Sequence, residues 1–170
     1  MESLRIIALG IAVAIGYGIV HDQVSVRISP EYLILAHPRL IDTDSPTLVA
    51  LAWGVAATWW VGLPLGCLLA VAARAGSRPK VAARELVRPA LLLCLTMAAV
   101  SGLAGLAGHW LGKEGVIYLL EPMATQVPAD RHALFLGAFA SHLAAYAAGL
   151  IGGLWLCAWV YRRRRARNAL

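Results

Sequence analysis

The sequence predicts an all-α membrane protein, a four-transmembrane-helix bundle with an extended extracytoplasmic cap between the first and second helices. Of its 170 residues, 60% are hydrophobic and only 14% are charged, whereas soluble domains carry about 25% charged residues. The apolar residues gather in four runs, each near or above the ~20 residues that span a bilayer as a helix. The basic residues fall between these runs very unevenly. A chain of this length is expected to form a single membrane domain.

Four helices are predicted, and their approximate ranges are 4–20, 46–73, 88–111 and 131–161. The remaining segments are two outer loops, an inner loop and a basic cytoplasmic tail, at residues 21–45, 112–130, 74–87 and 162–170. Asp44, Ser45 and Pro46 mark the start of the second helix, because a polar cap residue followed by proline favours a helix start.

The first run follows a short charged start, a pattern that cleaved secretory signals share. Ala12 and Ala14, which have cleavage-like spacing, lie inside the run and not after it. We therefore favour an uncleaved first helix. Gly10, Ala14 and Gly18 recur every four residues, which predicts a flat face for close helix packing.

An alternating segment follows the first run. Val24, Val26 and Ile28 alternate with polar residues, and a period of two is typical of a strand. Pro30 ends the pattern. We therefore predict an extended segment or small hairpin that lies in water or against other loops, since lipid does not tolerate unpaired strand edges.

Two features of the later runs predict how the helices pack. Pro64 lies inside the second run and predicts a kink, because proline removes one backbone hydrogen bond. The fourth run carries small residues at four-residue spacing, which predicts tight contact with another helix, in this chain or in a second copy. These residues are Gly137, Ser141, Ala145, Gly149 and Gly153.

The basic residues predict the orientation. Eleven of the fifteen Lys and Arg residues lie on one side of the predicted bundle, at Arg5, in 74–88 and in 162–167. The positive-inside rule then predicts that the chain lies in the inner membrane of a cell with both termini in the cytoplasm. The net charge of +6 is therefore a topology signal and does not predict nucleic-acid binding. The expected partners are the lipid bilayer and a homo-oligomer or larger membrane complex.

All five histidines fall in the outer half of this topology. His142 lies ten residues after His132 in the fourth run, which places it ~15 Å deeper. An ionisable side chain at that depth is a candidate functional residue. Tyr146 follows one turn later on the same face. The alternative is a neutral imidazole that is hydrogen-bonded to a neighbouring helix.

A second candidate site is the outer set of His21, Asp22, Glu31 and His37. Its imidazole and carboxylate atoms suit a transition metal. The spacing matches no known ligand motif. The alternative is a solvated loop in which Arg27 pairs with Glu31 and histidine forms hydrogen bonds with aspartate.

Other chemistries find less support. A haem between helices would need histidines at similar depth, and His109 and His142 differ in predicted depth. The cysteines lie inside apolar runs without metal-motif spacing, which predicts neither a disulfide framework nor a zinc site. A proton-coupled exporter usually needs a carboxylate within the membrane, and no Asp or Glu falls inside a predicted run.

One motif runs through the predicted cap: Tyr17-Gly18-x-x-His21-Asp22-Gln23, then Arg27, Glu31-Tyr32 and His37-Pro38. It resembles the outer-loop signature of a group of uncharacterised bacterial four-helix integral membrane proteins. The resemblance covers roughly the first half of the chain, with a weaker echo from Ser141-His142 to Tyr146. It implies a four-span inner-membrane protein and lends no catalytic residues.

Two functions remain open from the sequence. The first is a non-enzymatic membrane protein whose outer polar cluster binds a partner or small ligand, or which packs into a larger assembly. The second is a metal- or haem-binding membrane protein that uses His21, His37 and His142, with His109 as a further ligand.

Overall fold

The computed structural model describes residues 1–167, with side chains up to residue 166. Within this range it contains no strand, one 3-10 helix (Ala129–Arg131) and seven α-helices. The α-helices are α1 (Glu2–Ile28), α2 (Pro30–Leu35), α3 (Pro46–Ala56), α4 (Trp59–Arg74), α5 (Ala83–Lys113), α6 (Met123–Gln126) and α7 (His132–Arg167). The bundle consists of two closely packed groups, α1 with α3 and α4, and α5 with α7.

Four helical segments are long and apolar enough to cross a membrane, which confirms the all-α class and the number of long helices. Their ranges are Glu2–Ile28, Pro46–Arg74, Ala83–Lys113 and Ala129–Ala166. The predicted tail continues α7 as far as Arg167, because nothing in this stretch stops the helix. Residues 168–170 of that tail lie outside the described residues.

The prediction of an extended segment after the first run is wrong. Helix α1 continues to Ile28, and the short helix α2 follows directly. Val24 and Ile28 lie one turn apart on an exposed face, while Val26 is buried, so the alternation reflects two sides of a helix. Pro30 ends α1, since the residue before a proline is disfavoured in helical conformation.

The second apolar run breaks at residues 57–58, before the position that Pro64 predicts. Pro64 itself lies inside α4. At the break, the Thr58 backbone N–H donates to the Val55 carbonyl at 3.3 Å, and the Thr58 hydroxyl donates to the Gly54 carbonyl at 2.5 Å. The threonine side chain therefore satisfies a carbonyl that the helix leaves open, and this permits the turn upstream of the proline.

Glycines on α1 allow the close approach of α4, as their spacing predicts. A Cβ atom on Gly10 would lie 2.8 Å from the Cα of Gly66, and one on Gly62 would lie 2.7 Å from the Gly10 carbonyl oxygen. Gly18 meets α3 in the same way, because a Cβ there would lie 2.6 Å from the Gly54 carbonyl oxygen. Residues with side chains would force these helices apart.

The small residues of α7 pack within the chain. A Cβ on Gly137 would lie 2.9 Å from the carbonyl oxygen of Gly105 on α5, and one on Gly105 would lie 3.2 Å from the Ser141 side chain. Ala145 is buried. Further along α7, Gly149 faces Met97 and Gly153 faces Leu65. Of the two expected neighbours, another helix of this chain therefore covers this face.

The basic segments meet at one end of the bundle, which we call the basic end. Arg164 on α7 is almost fully buried there, with 1% of its surface exposed. Its guanidinium donates to four carbonyl oxygens at 2.6–3.2 Å, those of Ala72, Ala75, Arg78 and Pro79. The Glu2 carboxylate accepts from the Ala83 N–H at 3.2 Å. These contacts tie both chain ends to the α4–α5 connection.

Replacing Arg164 with alanine should destabilise the bundle strongly. Hydrogen bonds to charged groups are worth about 1.5–3 kcal/mol each, so Arg164→Ala should lower the free energy of unfolding by about 3 kcal/mol or more. Thermal unfolding of the detergent-solubilised protein measures the change. Arg165→Ala is the matched control, because Arg165 is exposed. Equal melting of the two variants would contradict the role of Arg164.

Two glycines on α1 should respond differently to the same substitution. Gly10→Leu should lower the free energy of unfolding by about 3 kcal/mol, because overpacking here meets backbone. Gly16→Leu should leave stability within about 1 kcal/mol of the parent, since a Cβ on Gly16 meets nothing within 4 Å. Unfolding curves of both variants in one detergent test this, and a tolerated Gly10→Leu would refute the close packing of α1 on α4.

Candidate functional site

The structure brings three of the candidate ligand residues together: His21 and Asp22 on α1, and His142 on α7. One potential ligand atom from each lies within 4.8 Å of the other two. Asp22 and His142 are buried, with 5% and 8% of their surface exposed, and His21 is half-buried. We call these three residues the His–Asp cluster.

The cluster lies inside the bundle because α1 is longer than the sequence predicts. Asp22 precedes the end of α1 at Ile28 by six residues, or ~9 Å, and His142 follows the start of α7 by ~15 Å. The assignment of His21 and Asp22 to an outer loop is therefore wrong. Asp22 is a buried carboxylate within an apolar helix, so the premise that set aside a proton-coupled exporter does not hold either.

Hydrogen bonding defines the tautomer of His142. Its Nδ1 lies 2.9 Å from the carbonyl oxygen of Ala138, and a carbonyl can only accept, so Nδ1 carries a proton. Its Nε2 faces Oδ1 of Asp22 at 3.1 Å. In a neutral imidazole of this tautomer, Nε2 carries a lone pair, as does the carboxylate oxygen. Two acceptors this close require a cation, either a second proton or a metal ion.

His21 supplies an unused ligand atom beside this pair. Its Nε2 is enclosed and has no hydrogen-bond partner among the described residues. The His21 ring stands edge-on to His142, with 4.4 Å between the ring centroids, and it stacks on Tyr17 at 5.6 Å. An enclosed polar atom without a partner costs about 1–3 kcal/mol, which is the kind of cost that a functional site retains.

Aromatic rings cover the cluster on the side away from the basic end. The ring of Tyr32 on α2 lies 4.5 Å from that of His142 and 5.1 Å from that of His37. His37 also contacts Trp53 at 4.9 Å, and its Nδ1 donates to the Tyr32 carbonyl at 2.9 Å. Burial raises the pKa of Tyr32 to about 12. The Tyr32 hydroxyl therefore stays neutral. His37 lies behind Tyr32 and is not one of the three cluster residues.

Glu31 belongs to a different interaction. Its carboxylate accepts from Arg131 at 2.9 Å and from the Ser29 hydroxyl at 2.9 Å. Arg27 instead donates to Gln23 at 2.7 Å and to Thr47, so the predicted Arg27–Glu31 pair is wrong. Burial by itself raises the pKa of Glu31, but the hydrogen bonds from Arg131 and Ser29 outweigh it and hold the pKa below its usual value.

The remaining candidates lie apart from the cluster. His109 on α5 contacts Gly137 of α7 and is not part of the group of three ligand residues. Tyr146 lies one turn after His142, and its hydroxyl donates to the Ala57 carbonyl at 3.4 Å, at the break between α3 and α4. It therefore borders the cavity described next, and it is not one of the three cluster residues.

A cavity of about 160 Å³ adjoins the cluster. Tyr32, His37 and Trp53 line it on the side away from the basic end. Toward the basic end, its lining is apolar apart from cysteine sulfur and includes Leu69 and Leu156. The polar part of the cavity is therefore confined to the neighbourhood of the cluster.

The sequence prediction missed the aromatic neighbours of the cluster. Tyr17 could have been found, because it precedes His21 by one helical turn and residues so spaced share a face. Tyr32 could not, since only the packing of α2 brings it onto His142.

No family model, no curated protein and no solved structure matches this chain.

The Glu31–Arg131 pair should make stability depend on pH. A carboxyl whose pKa is lowered in the folded state stabilises that state above its unfolded pKa of about 4.3, and the effect is lost as the pH falls through the lowered value. Glu31→Gln should therefore cost about 1 kcal/mol at pH 7 and almost nothing in strong acid. Thermal unfolding across this pH range measures the difference.

The control for Glu31 is Asp42→Asn. Asp42 pairs with Arg39, but its side chain is fully exposed, so this variant should match the parent at every pH. A cost of Glu31→Gln that stays constant from neutral to acidic pH would show that the charge of Glu31 is not what stabilises the fold.

Proposed function

We propose that this protein is a multi-pass integral membrane protein that binds a divalent transition metal ion through His21, Asp22 and His142. It is a binding protein in this proposal, and no catalytic residue is assigned. The proposal has three parts: four membrane spans, a cytoplasmic basic end and an outer metal site. Each part has separate support.

Membrane insertion is supported by the surface of the bundle. Large apolar side chains are exposed along the long helices, among them Leu95, Leu103 and Ile151, each 68–69% exposed. Such a continuous apolar surface suits lipid better than water. The basic end carries Arg5, the α4–α5 connection and the end of α7. By the positive-inside rule, we infer that this end faces the cytoplasm and that the chain lies in a bacterial inner membrane.

The observation that carries the metal proposal is the facing pair of acceptors. With Nδ1 of His142 donating to Ala138, its Nε2 and Oδ1 of Asp22, 3.1 Å apart, are both available to one cation. A ring nitrogen of His21 within 4.8 Å of the atoms of the other two residues offers a third ligand atom, and its enclosed Nε2 has no hydrogen-bond partner among the described residues. The bond from His142 to the Ala138 carbonyl also resembles the outer-shell contacts that orient metal-binding histidines.

The chemistry of the ligands favours particular metals. Two imidazoles and one carboxylate suit Zn²⁺ or Fe²⁺, with at least one position left for water or another ligand. A cavity of about 160 Å³ favours an ion over a haem, because sites for larger organic ligands measure about 300–1,000 Å³. Ligand distances up to 4.8 Å require only small side-chain rotations to close around an ion.

The lining of the cavity favours binding over conduction. An ion released toward the basic end would meet Leu69, Leu156 and the sulfur atoms of Cys94 and Cys157, but no carboxylate or imidazole. A proton-coupled exporter would need polar groups on both sides of the buried carboxylate. The aromatic side, with Tyr32 and His37, is therefore the route by which a metal ion would reach the cluster.

Metal content of the purified protein tests the proposal. Membranes are solubilised in a mild detergent, and the protein is dialysed against equimolar Zn²⁺ and Fe²⁺ and analysed by mass spectrometry of the elements. We expect about one metal ion per chain, and loss of at least tenfold in affinity for His142→Ala and for Asp22→Asn, since each removes one ligand.

His132→Ala is the matched control for this experiment. His132 lies on the same helix as His142, but its Nε2 donates to the Val127 carbonyl at 2.9 Å, away from the cluster. It should bind metal like the parent. A parent protein that binds no metal would refute the proposal and leave a shared proton as the cation between Asp22 and His142.

A further inference from the structure

A second and larger cavity lies between α1 and α5, and we call it the α1–α5 groove. Its volume is about 760 Å³, and its lining extends from Ala12 to Ile28 on α1 and from Leu91 to His109 on α5. At 1.5 Å per residue the groove is ~24–27 Å long, close to the ~30 Å hydrocarbon thickness of a bilayer. It is thus long enough to hold an extended apolar chain.

Glycines keep this groove open. A Cβ atom on Gly16 of α1 or on Gly102 of α5 would meet no atom within 4 Å, and both residues line the groove. Gly105 and Gly108 on the same helix behave differently, because they pack closely against α7. Gly16 and Gly102 therefore leave open space between α1 and α5 and do not serve close contact between helices.

One polar band interrupts the apolar lining of the groove. Its members are the hydroxyls of Tyr17, Ser25, Ser101 and Ser141 and the rings of His21 and His109. The Nδ1 of His109 is enclosed and has no hydrogen-bond partner among the described residues. His109 lies four residues and Ser101 twelve residues before the end of α5 at Lys113, so these side chains are ~6 Å and ~18 Å inside the helix end.

We propose that the α1–α5 groove binds an uncharged lipophile with a carbonyl-bearing ring and a long apolar chain, the chemistry of an isoprenoid quinone. The volume falls in the range of about 300–1,000 Å³ that is typical of ligand sites, which are mostly apolar with a few polar groups. None of the residues that line the groove is Asp, Glu, Lys or Arg, so a charged head group finds no partner there.

The depth of the polar band distinguishes this ligand from a phospholipid. A phospholipid keeps its charged head at the membrane surface, whereas the band lies below the helix ends. The chain of a quinone would occupy the apolar length of the groove toward Leu91, and its carbonyl oxygen would accept from the His109 imidazole or from the Ser141 hydroxyl. The Ser101 hydroxyl already donates to the Ala98 carbonyl at 3.2 Å. This site goes beyond the proposed metal site and does not require it, although Tyr17 and His21 line both cavities.

Binding of decylubiquinone to the full chain in phosphatidylcholine nanodiscs tests this proposal. The protein is first treated with EDTA, so the result does not depend on the metal site. Quinone retained after gel filtration is extracted and measured by absorbance. We expect saturable binding of about one quinone per chain, unchanged in His132→Ala, because His132 lines neither cavity.

Variants that fill the groove sharpen the test. Gly102→Phe, and Gly16→Leu from the opposite wall, should each weaken quinone binding at least tenfold. Leu103→Phe is the matched control, because Leu103 is 68% exposed and does not line the groove. His109→Leu should weaken binding about fivefold, the usual effect of one lost hydrogen bond, and His109→Gln should restore most of it. Thermal unfolding confirms that each variant is folded.

Three outcomes would overturn the proposal. The first is quinone that partitions into the nanodiscs without saturation. The second is equal binding by Gly102→Phe and Leu103→Phe in folded protein. The third is a spin-labelled phosphatidylcholine that is immobilised at the protein and is not displaced by the quinone, which would mean that the groove holds ordinary bilayer lipid only.

Discussion

The 3.1 Å contact between Asp22 and His142 joins the first long helix to the last across 120 positions of sequence. The bundle is built from two tight groups, α1 with α3 and α4, and α5 with α7, and α1 and α7 make few other contacts. The pair therefore crosses the seam between the groups. At the basic end, Arg164 crosses the same seam by binding carbonyls at the end of α4 and in the α4–α5 connection.

The same arrangement explains why the cavities lie where they do. Glycines allow intimate backbone contact within each group, so little space is left inside either one. Between the groups the packing is looser, and both the cavity beside the His–Asp cluster and the α1–α5 groove open at this seam. Polar side chains that point into the seam need partners there, because lipid supplies none, and enclosed ring nitrogens of His21 and His109 find none among the described residues. A metal ion and an uncharged lipophile would each satisfy one such need.

Much of the fold could be predicted from local pattern. Four apolar runs give four long helices, and the glycine spacing of α1 and α7 anticipates close packing. The alternation of Val24, Val26 and Ile28 led to a wrong prediction of an extended segment. So short an alternation of apolar and polar residues fits a strand and the two faces of a helix equally well. Pro64 predicted a kink, but the side chain of Thr58 satisfies the backbone and places the break upstream.

The candidate site could be predicted only in part. The unusual depth of His142 marks it as a candidate, because ionisable side chains are costly in an apolar helix. Its partner was not evident, since Asp22 follows the predicted first helix, which ends at residue 20, whereas α1 reaches Ile28. Arg164 shows the same limit. In the sequence it is one of several arginines in a row, and only tertiary packing buries it among four carbonyls.

X-ray absorption spectroscopy of the zinc-loaded protein tests the central claim most directly. The account predicts that nitrogen and oxygen atoms at about 2.0–2.2 Å surround the metal, with two imidazoles in the parent protein and one in His142→Ala. A metal bound through sulfur, or an imidazole number that His142→Ala leaves unchanged, would contradict a site formed by Asp22 and His142 across the helix seam.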